Sequence, residues 1–556
     1  MEDGIMHRRQ VLAGLGVAAV APALAARGVA EYTRHLHDVI GAAMARHKTL
    51  GVSVALVDGG RIAWSQGFGF ADRAQTRKVT PASVFSLQSI SKTVTAFLFL
   101  TAVERGWFAL DDRLVAHLPD FRVNSRFADD DFAKITLRQL LSHWSGLTHE
   151  APLGNNFDDG RCTFAAHVAS ICDTWLIAPP GSRYAYSNLG FDLLAWLIEK
   201  RAGKPLAQYA QEALFAPLGM RSSTYDHTRI AEADRVRGQA DGKDVTMFIP
   251  MLGAGGVYAT AGDMARFMLA QLAGGRTPGG RRLLRADLLR EMQTPQYPVD
   301  RQICGYGLGL FSRPAYGATM LSHGGGGYGY DTELRWLPAY GIGAAVLSND
   351  GDGGLAEEIA DAALRAMLIA KRGAVPPDAP VALSDRPAVT PDAAQMKALE
   401  GRYRAYSGMR TFAVVDGVLH YRVGSNDEAL TFHGQGEYTT ANERFRFHRD
   451  DTGIWAEDLG TVGVDTFAAN ELADEAPGPA KPEWSAFTGD YEGHVYGQAA
   501  PAKVELRNGH LFISRGGETK LIEYRPGFFF TSWGESVTFS GDALFYGNRR
   551  FARLKA

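Results

Sequence analysis

The spacing of apolar positions divides the chain into two regions of different rhythm. Up to about Arg372, strand and helix periods are mixed. Residues 51–65 alternate small and β-branched side chains around Asp58-Gly59-Gly60 and predict a hairpin. Residues 92–105, 136–142, 189–201 and 261–272 carry apolar side chains three and four apart and predict helices. Residues 332–337 and 343–348 predict a strand pair, and a helix is expected from about 355 to 371. Strands at both ends with helices between predict one sheet assembled from distant parts of the chain.

From about residue 376 the rhythm changes. A Pro- and Asp-rich stretch over 376–395 reads as a linker. Short alternating strands with Gly, Asp and Asn turns follow, an antiparallel β pattern. This tail is internally repeated: Gly401-Arg402-Tyr403 opens one unit and Gly489-Asp490-Tyr491 the next. The turns Asp416-Gly417 and Asn508-Gly509 occupy equivalent places, and 475–482 reads as a second linker. Two small barrels are expected, over 396–474 and 483–556. One larger closed barrel is the alternative, because each unit is near the lower size limit for its own core.

Composition narrows the class without choosing a function. A chain of 556 residues with 46% hydrophobic and 21% charged positions has the profile of a soluble multidomain protein. A net charge of −3, with no basic block, argues against nucleic acid or an anionic membrane as partner. At the N-terminus, Arg8-Arg9 precedes an apolar run ending in Ala23-Leu24-Ala25. That pattern predicts an export signal of the twin-arginine type over residues 1–28, and hence a periplasmic or secreted protein. An amphipathic first helix is the plainer alternative; the run is too short, and too rich in Ala and Gly, for a stable membrane span. Three cysteines, Cys162, Cys172 and Cys304, make no disulfide framework. Cys162 and Cys172 are spaced so that they could pair, but three unpaired, buried cysteines are expected.

Three stretches carry candidate chemistry. Ser89-Ile90-Ser91-Lys92 places a hydroxyl and an amine on one face of a helix start, where the helix N-terminus favours a developing oxyanion. A pattern this short occurs by chance about once in a chain of this length, and Ser89 as a mere N-cap is its plain reading. The turn-rich stretch 179–188 delivers Tyr186-x-Asn188, a phenol able to move protons and an amide able to bind a carbonyl. The third, His323-Gly324-Gly325-Gly326-Gly327, puts glycines at a strand end, where backbone can approach a substrate and amides can donate. Read singly, these are a core tyrosine, a helix cap and a flexible loop.

Taken in this order the stretches resemble the signature of the serine β-lactamase and penicillin-binding superfamily. The closer resemblance is to class C β-lactamase-related hydrolases, among them esterases, D-Ala-D-Ala carboxypeptidases and D-aminopeptidases. It extends to residues 135–147, Pro217-Leu218-Gly219-Met220 and 255–264, and covers roughly residues 45 to 370. It implies an α+β fold: an antiparallel sheet flanked by helices over residues 29–375, ahead of the two barrels.

The resemblance also implies roles. Ser89 would be acylated, with Lys92 and Tyr186 sharing the proton transfers. Asn188 would orient substrate and hold Lys92. His323, Gly324, Gly325 and Gly326 would line the pocket, and the N–H groups of Ser89 and Gly326 would form the oxyanion hole. His143 and Trp144 match a structural segment and stay outside the expected site. No cofactor or metal is required, and the expected partner is a small molecule or peptide. One departure matters: dedicated β-lactamases carry lysine where His323 stands. A largely neutral imidazole favours the esterase and D-aminopeptidase branches, and the two C-terminal β units match the architecture of the family's D-aminopeptidase.

Overall fold

The computed structural model describes residues 14–554 apart from 155–161, 241, 246–248, 298–303, 350–352, 379–383, 406–407, 442, 451–452, 459–464, 471–477, 479, 496–497, 516, 532–534 and 548. The predicted hairpin is present as β1 (Gly51–Asp58) and β2 (Arg61–Gly69), turning through Gly59 and Gly60, both at positive φ. Five later strands complete the sheet: β3 (Gly305–Tyr306), β4 (Phe311–Ala315), β5 (Ala318–Gly327), β6 (Tyr330–Leu337) and β7 (Ile342–Ser348). All neighbours are antiparallel, in the order β2-β1-β7-β6-β5-β4-β3. β1 lies beside β7 with Val52 opposite Ser348, so the two ends of the region close one sheet, as the pattern predicts.

Both faces of that sheet are covered, which is why β1 and β7 read as nearly continuous apolar runs. One face carries Val52, Val54, Leu56, Ala344 and Val346 against α1 (Gly14–His47) and α8 (Leu355–Arg372). Ala55, Val57, Ala345 and Leu347 point the other way, into the larger core. That core holds α2 (Ile90–Glu104), α3 (Leu137–Ser142), α4 (Phe164–Ser170), α5 (Asn188–Ala202), the single turn α6 (Leu252–Gly255) and α7 (Ala261–Leu272). Helix α2 is the central element: every residue from Ile90 to Ala102 is buried, so its apolar residues surround the axis instead of forming a stripe.

The expected export signal falls on residues 1–28, of which 1–13 lie outside the described residues. Among the described residues no helix is long and apolar enough to cross a membrane. Of the three cysteines expected to be buried, only Cys304 is; Cys162 and Cys172 are half-buried.

The tail forms two antiparallel units, and a short helix, Ala393–Leu399, capped by Asp392, begins at the end of the predicted linker and runs into the start of the first expected unit. The second unit is a closed eight-stranded barrel, Tyr491 on its first strand opposite Arg553 on its last. The first is a nine-stranded sheet whose outermost strands, Asn426–Ala429 and Thr431–Phe432, are joined by Leu430 alone. One residue cannot span an open sheet, so this unit is rolled on itself, with no hydrogen-bonded seam among the described residues. The repeat is physical as well as textual. Tyr403 OH donates to Leu399 O at 3.0 Å and Tyr491 OH to Phe487 O at 2.8 Å, and both Asp416-Gly417 and Asn508-Gly509 turn at positive φ.

Candidate active site

A two-residue strand, Phe85–Ser86, leads into the serine. Gln88 then takes a left-handed conformation, φ 50°, and Ser89 starts α2. Local strain of this kind is retained where surrounding structure imposes it; here Leu87 N–H is tied to Val257 O at 2.9 Å and Gln88 Nε2 donates to Ser86 Oγ at 2.8 Å. Ser89 sits at the N-cap position, yet its hydroxyl makes no capping bond. It accepts instead from Lys92 Nζ at 3.0 Å, so the plain reading of Ser89 as a cap does not hold.

Lys92 is fully buried and donates a second bond to Ala254 O at 3.1 Å. Burial draws its ammonium down to about 7, against the opposing charges of Asp192 and Glu150. Its amine lies 4.8 Å from the centre of the Tyr186 ring. Burial, only partly offset by a hydrogen bond with Ser89, holds the Tyr186 phenol well above its ordinary value. At neutral pH the lysine is therefore the group able to accept a proton, and the tyrosine one able to donate.

Tyr186 is placed by strapping the stretch 181–188 onto 143–149. Gly181 N–H donates to Trp144 O, Ala185 N–H to His143 O and Asn188 N–H to His149 O. Ser187 donates its N–H to His143 Nδ1 at 3.1 Å and its hydroxyl to Thr148 O at 2.7 Å. His143, at φ 64° in the left-handed position that ends α3, lays its ring on that of Tyr186 with centroids 4.2 Å apart. His149 stacks on the same tyrosine at 5.7 Å. Sequence reasoning left both histidines out of the site; for His143 the signal available was the matched segment 135–147 itself, and His149 lies beyond that segment. Burial, then Lys92, His323 and His149, hold His143 well below its usual value, so it is a neutral support for the ring.

Asn188 does something other than expected. Its Nδ2 donates to Glu150 Oε1 at 2.9 Å, while the carbonyl that holds Lys92 is that of Ala254. Glu150 has no exposed surface, and its Oε1 also meets His149 Nδ1 at 2.8 Å. Burial pushes Glu150 up, but His149, Arg549 and His167 outweigh it and hold the carboxyl below its ordinary range. Sequence reasoning missed Glu150, since one acidic residue after a histidine carries no pattern.

The glycine run is strand, not loop. β5 continues through Gly327 and turns at Tyr328-Gly329, both at positive φ, into β6. A two-residue hairpin makes Gly327 and Tyr330 a bonded pair, and alternation then turns the N–H groups of Gly324 and Gly326 away from β6. β4 pairs with β5 only as far as Ser322, so the outward edge from His323 onward runs past the end of β4. A Cβ on Gly325 would stand 2.3 Å from Leu87 O and 2.9 Å from Ser89 N, whereas one on Gly326 would meet nothing within 4 Å. Gly325→Ala is expected to push β5 off the serine and cost about 100-fold in kcat/KM, the usual consequence of a 1 Å misplacement. Gly326→Ala should leave Tm unchanged; paired melts and rate measurements check both.

His323 lies on the same face of β5 as Gly325. Its Nδ1 donates to Gly324 O at 2.6 Å and its Nε2 accepts from Tyr306 OH at 2.9 Å. Burial, reinforced by the Lys92 charge, takes it down to about 3, so it offers no charge to a substrate. The third cysteine, Cys304, is pushed up to about 12 by burial and is no nucleophile. Both C-terminal units brace this region. Thr148 Oγ1 donates to Glu535 of the second barrel at 3.0 Å, and Arg183 covers the Trp455 ring of the first unit at 4.4 Å.

A serine bonded to a buried lysine, between a helical lobe and an antiparallel sheet edge, is the arrangement of a serine hydrolase of the β-lactamase type. The family described as Beta-lactamase matches residues 36–368. The chain belongs to that family of serine β-lactamase-like hydrolases, which includes carboxypeptidases and esterases. It is 28% identical over 317 residues to the D-alanyl-D-alanine-carboxypeptidase/endopeptidase AmpH of Escherichia coli K12, covering 53% of this chain and 78% of that protein. To the esterase EstB of Burkholderia gladioli it is 29% identical over 203 residues, 34% of this chain and 51% of that one. Among solved structures, an octameric penicillin-binding protein homologue from Pyrococcus abyssi superposes with a TM-score of 0.53 at 22% identity, covering 78% of this chain and 99% of its own. At that identity the likeness is one of fold.

Proposed function

We propose that this chain is an exported serine hydrolase that is acylated on Ser89 and cleaves small amides or esters, peptides containing D-amino acids foremost. The observation that carries the reading is the 3.0 Å bond between Ser89 Oγ and an amine whose burial leaves it free to take a proton near neutrality.

Lys92 takes the hydroxyl proton as Oγ attacks the substrate carbonyl. The N–H groups of Ser89 and Gly326, at the positive end of α2, receive the oxyanion. Tyr186, still protonated, passes a proton to the leaving amine or alkoxide and recovers it from Lys92. Water then enters by the reverse path and releases the acid, restoring the serine. Asn188, fixed by Glu150, holds the substrate carbonyl group.

The neutral His323 weighs against substrates that need a permanent cation for their carboxylate, as dedicated β-lactamase substrates do. It favours acyl groups without a free carboxylate near the scissile bond. The same observation supports a second reading, a short-chain carboxylesterase, in keeping with the likeness to EstB. The preference for D-residues draws on the likeness to AmpH, and export on Arg8-Arg9 and the apolar run behind it.

A panel of D- and L-alanine p-nitroanilides, a D-Ala-D-Ala peptide, nitrocefin and p-nitrophenyl butyrate tests the reading. Turnover of the D-anilide in preference to the L-form is expected, with nitrocefin the poorest substrate. If only the ester turns over, the peptide reading is replaced by the esterase. A stable fluorescent-penicillin adduct on Ser89 with no turnover anywhere would make the chain a penicillin-recognising binding protein. Export is checked by cell fractionation, where Arg8→Lys with Arg9→Lys should retain the protein in the cytoplasm.

A further inference from the structure

Behind Lys92 lies a pair of buried charges that the reaction above does not use. Asp192, one turn beyond Asn188 on α5, is fully buried, and so is His167 on α4. Asp192 Oδ1 accepts from the backbone N–H groups of Gly253 at 2.9 Å and Ala254 at 3.2 Å, and Oδ2 meets His167 Nε2 at 3.1 Å. Ala254 then gives its carbonyl to Lys92 Nζ. A chain of contacts thus runs from carboxylate through the α6 turn to the amine. His167 Nδ1 also faces an acceptor, Leu153 O, at 2.7 Å. Burial lowers His167, but Asp192 and that carbonyl outweigh it and hold the ring above its ordinary value.

Holding a turn does not require such a pair. Thr95 already donates to Gly253 O at 2.7 Å, and a buried ion pair is often no more stable than apolar side chains of similar volume. The charge has a nearer purpose. Lys92 is faced by Ser89 on its own helix, by Tyr186 from the loop before α5, by Glu150 and His143 from the stretch after α3, by His323 from β5 and by Asp192. The two histidines are neutral. Glu150 is committed to Asn188 and His149. Asp192 itself is faced by His167 and, more distantly, by Tyr225, whose hydroxyl is paired with Thr95.

We propose that Asp192 is a positioning residue for Lys92: it fixes the turn whose carbonyl aims the amine at Ser89, and its charge, attenuated by His167, governs how readily that amine gives up its proton. The proposal rests on the reading of Ser89 as nucleophile and Lys92 as base.

The test labels Ser89 in the full chain with a p-nitrophenyl alkylphosphonate, read by mass spectrometry between pH 5 and pH 10. Oγ bonds to phosphorus, p-nitrophenolate leaves and the hydroxyl proton passes to Lys92, so labelling needs no knowledge of the natural acyl group. The wild-type rate should fall on the acid side through a midpoint near 7. Asp192→Asn removes the charge and keeps acceptor geometry at Oδ1; its midpoint should move down by about 0.5–1 unit. His167→Gln keeps a donor to Asp192 and removes the positive charge; its midpoint should move up. Opposite shifts support the proposal, since a purely structural role would lower both rates without moving either midpoint. Unmoved midpoints, or shifts of the same sign, overturn it. If Asp192→Asn does not fold, His167→Gln decides alone: an upward shift supports and none overturns. A wild-type chain that is never labelled brings down the reading of Ser89 itself, and this proposal with it.

Discussion

Ser89→Ala should reduce hydrolysis by about 10⁴-fold or more while the protein stays folded. The size follows from losing the acyl acceptor; the residual rate would come from the oxyanion donors and substrate binding. Stability is expected to hold because the hydroxyl caps nothing on α2 and alanine suits a helix start without strain at φ −65°. The measurement is kcat/KM on the best substrate of the panel beside a thermal melt, with Tm within about 2 °C of wild type. Retained activity would sink the acyl-enzyme mechanism.

Lys92→Met should abolish turnover to a similar degree and, unlike most core substitutions, raise stability. Unfolded, the lysine binds a proton up to 10.5; folded, only below about 7. Between those values the unfolded chain holds the extra proton, so wild-type stability rises with pH across that window and the full penalty applies below 7. The shift corresponds to about 5 kcal/mol. Against it stands the loss of two bonds, to Ser89 Oγ and to Ala254 O; the second leaves a buried carbonyl short of a donor at a cost of about 1–3 kcal/mol. The charge penalty is the larger, and a Tm rise of roughly 5 °C or more is expected at pH 6. The gain should shrink as pH climbs toward 10, where the wild-type penalty disappears. A variant less stable than wild type at pH 6 would show that Lys92 is not held against its charge. The site would then be an ordinary ion-paired lysine, without a base at neutral pH.

Much of the site was legible because its chemistry repeats at short range. Ser89 and Lys92 are three apart on a helix start, and Tyr186 and Asn188 two apart before another. The glycine run is visible as composition. What was not legible is the surroundings. His143, His149, Glu150, Asp192 and His167 are single residues whose partners lie 14 to 62 positions away, as in Ser187 N–H on His143, Asn188 on Glu150, Ala254 N–H on Asp192 and His167 on Leu153 O. No periodicity marks such pairs; only packing brings them together. The expected hold of Asn188 on Lys92 went to Ala254 for the same reason, since α6 is one short turn with no amphipathic signal. In the tail the repeat was visible through its turns and opening Gly-x-Tyr. Whether each unit closes by a hydrogen-bonded seam depends on which strands end up adjacent.

By itself, then, the chain's own pattern determines which segments are strands and helices and that two alike β units follow. It also marks three short stretches as candidates for chemistry. These follow from side-chain period and local backbone preference, which act over a few residues. The tertiary structure alone decided that Ser89 bonds to Lys92 instead of capping its helix, and that the glycines form a strand on which Gly325 packs against it. It also decided which group can act as base. Sequence left Lys92 and Tyr186 equivalent, because both ordinarily hold their protons near pH 7. Removal from water separates them: it disfavours the charged form of each, freeing the amine of its proton and keeping the phenol's in place. Burial is a property of the whole fold, and no local pattern contains it.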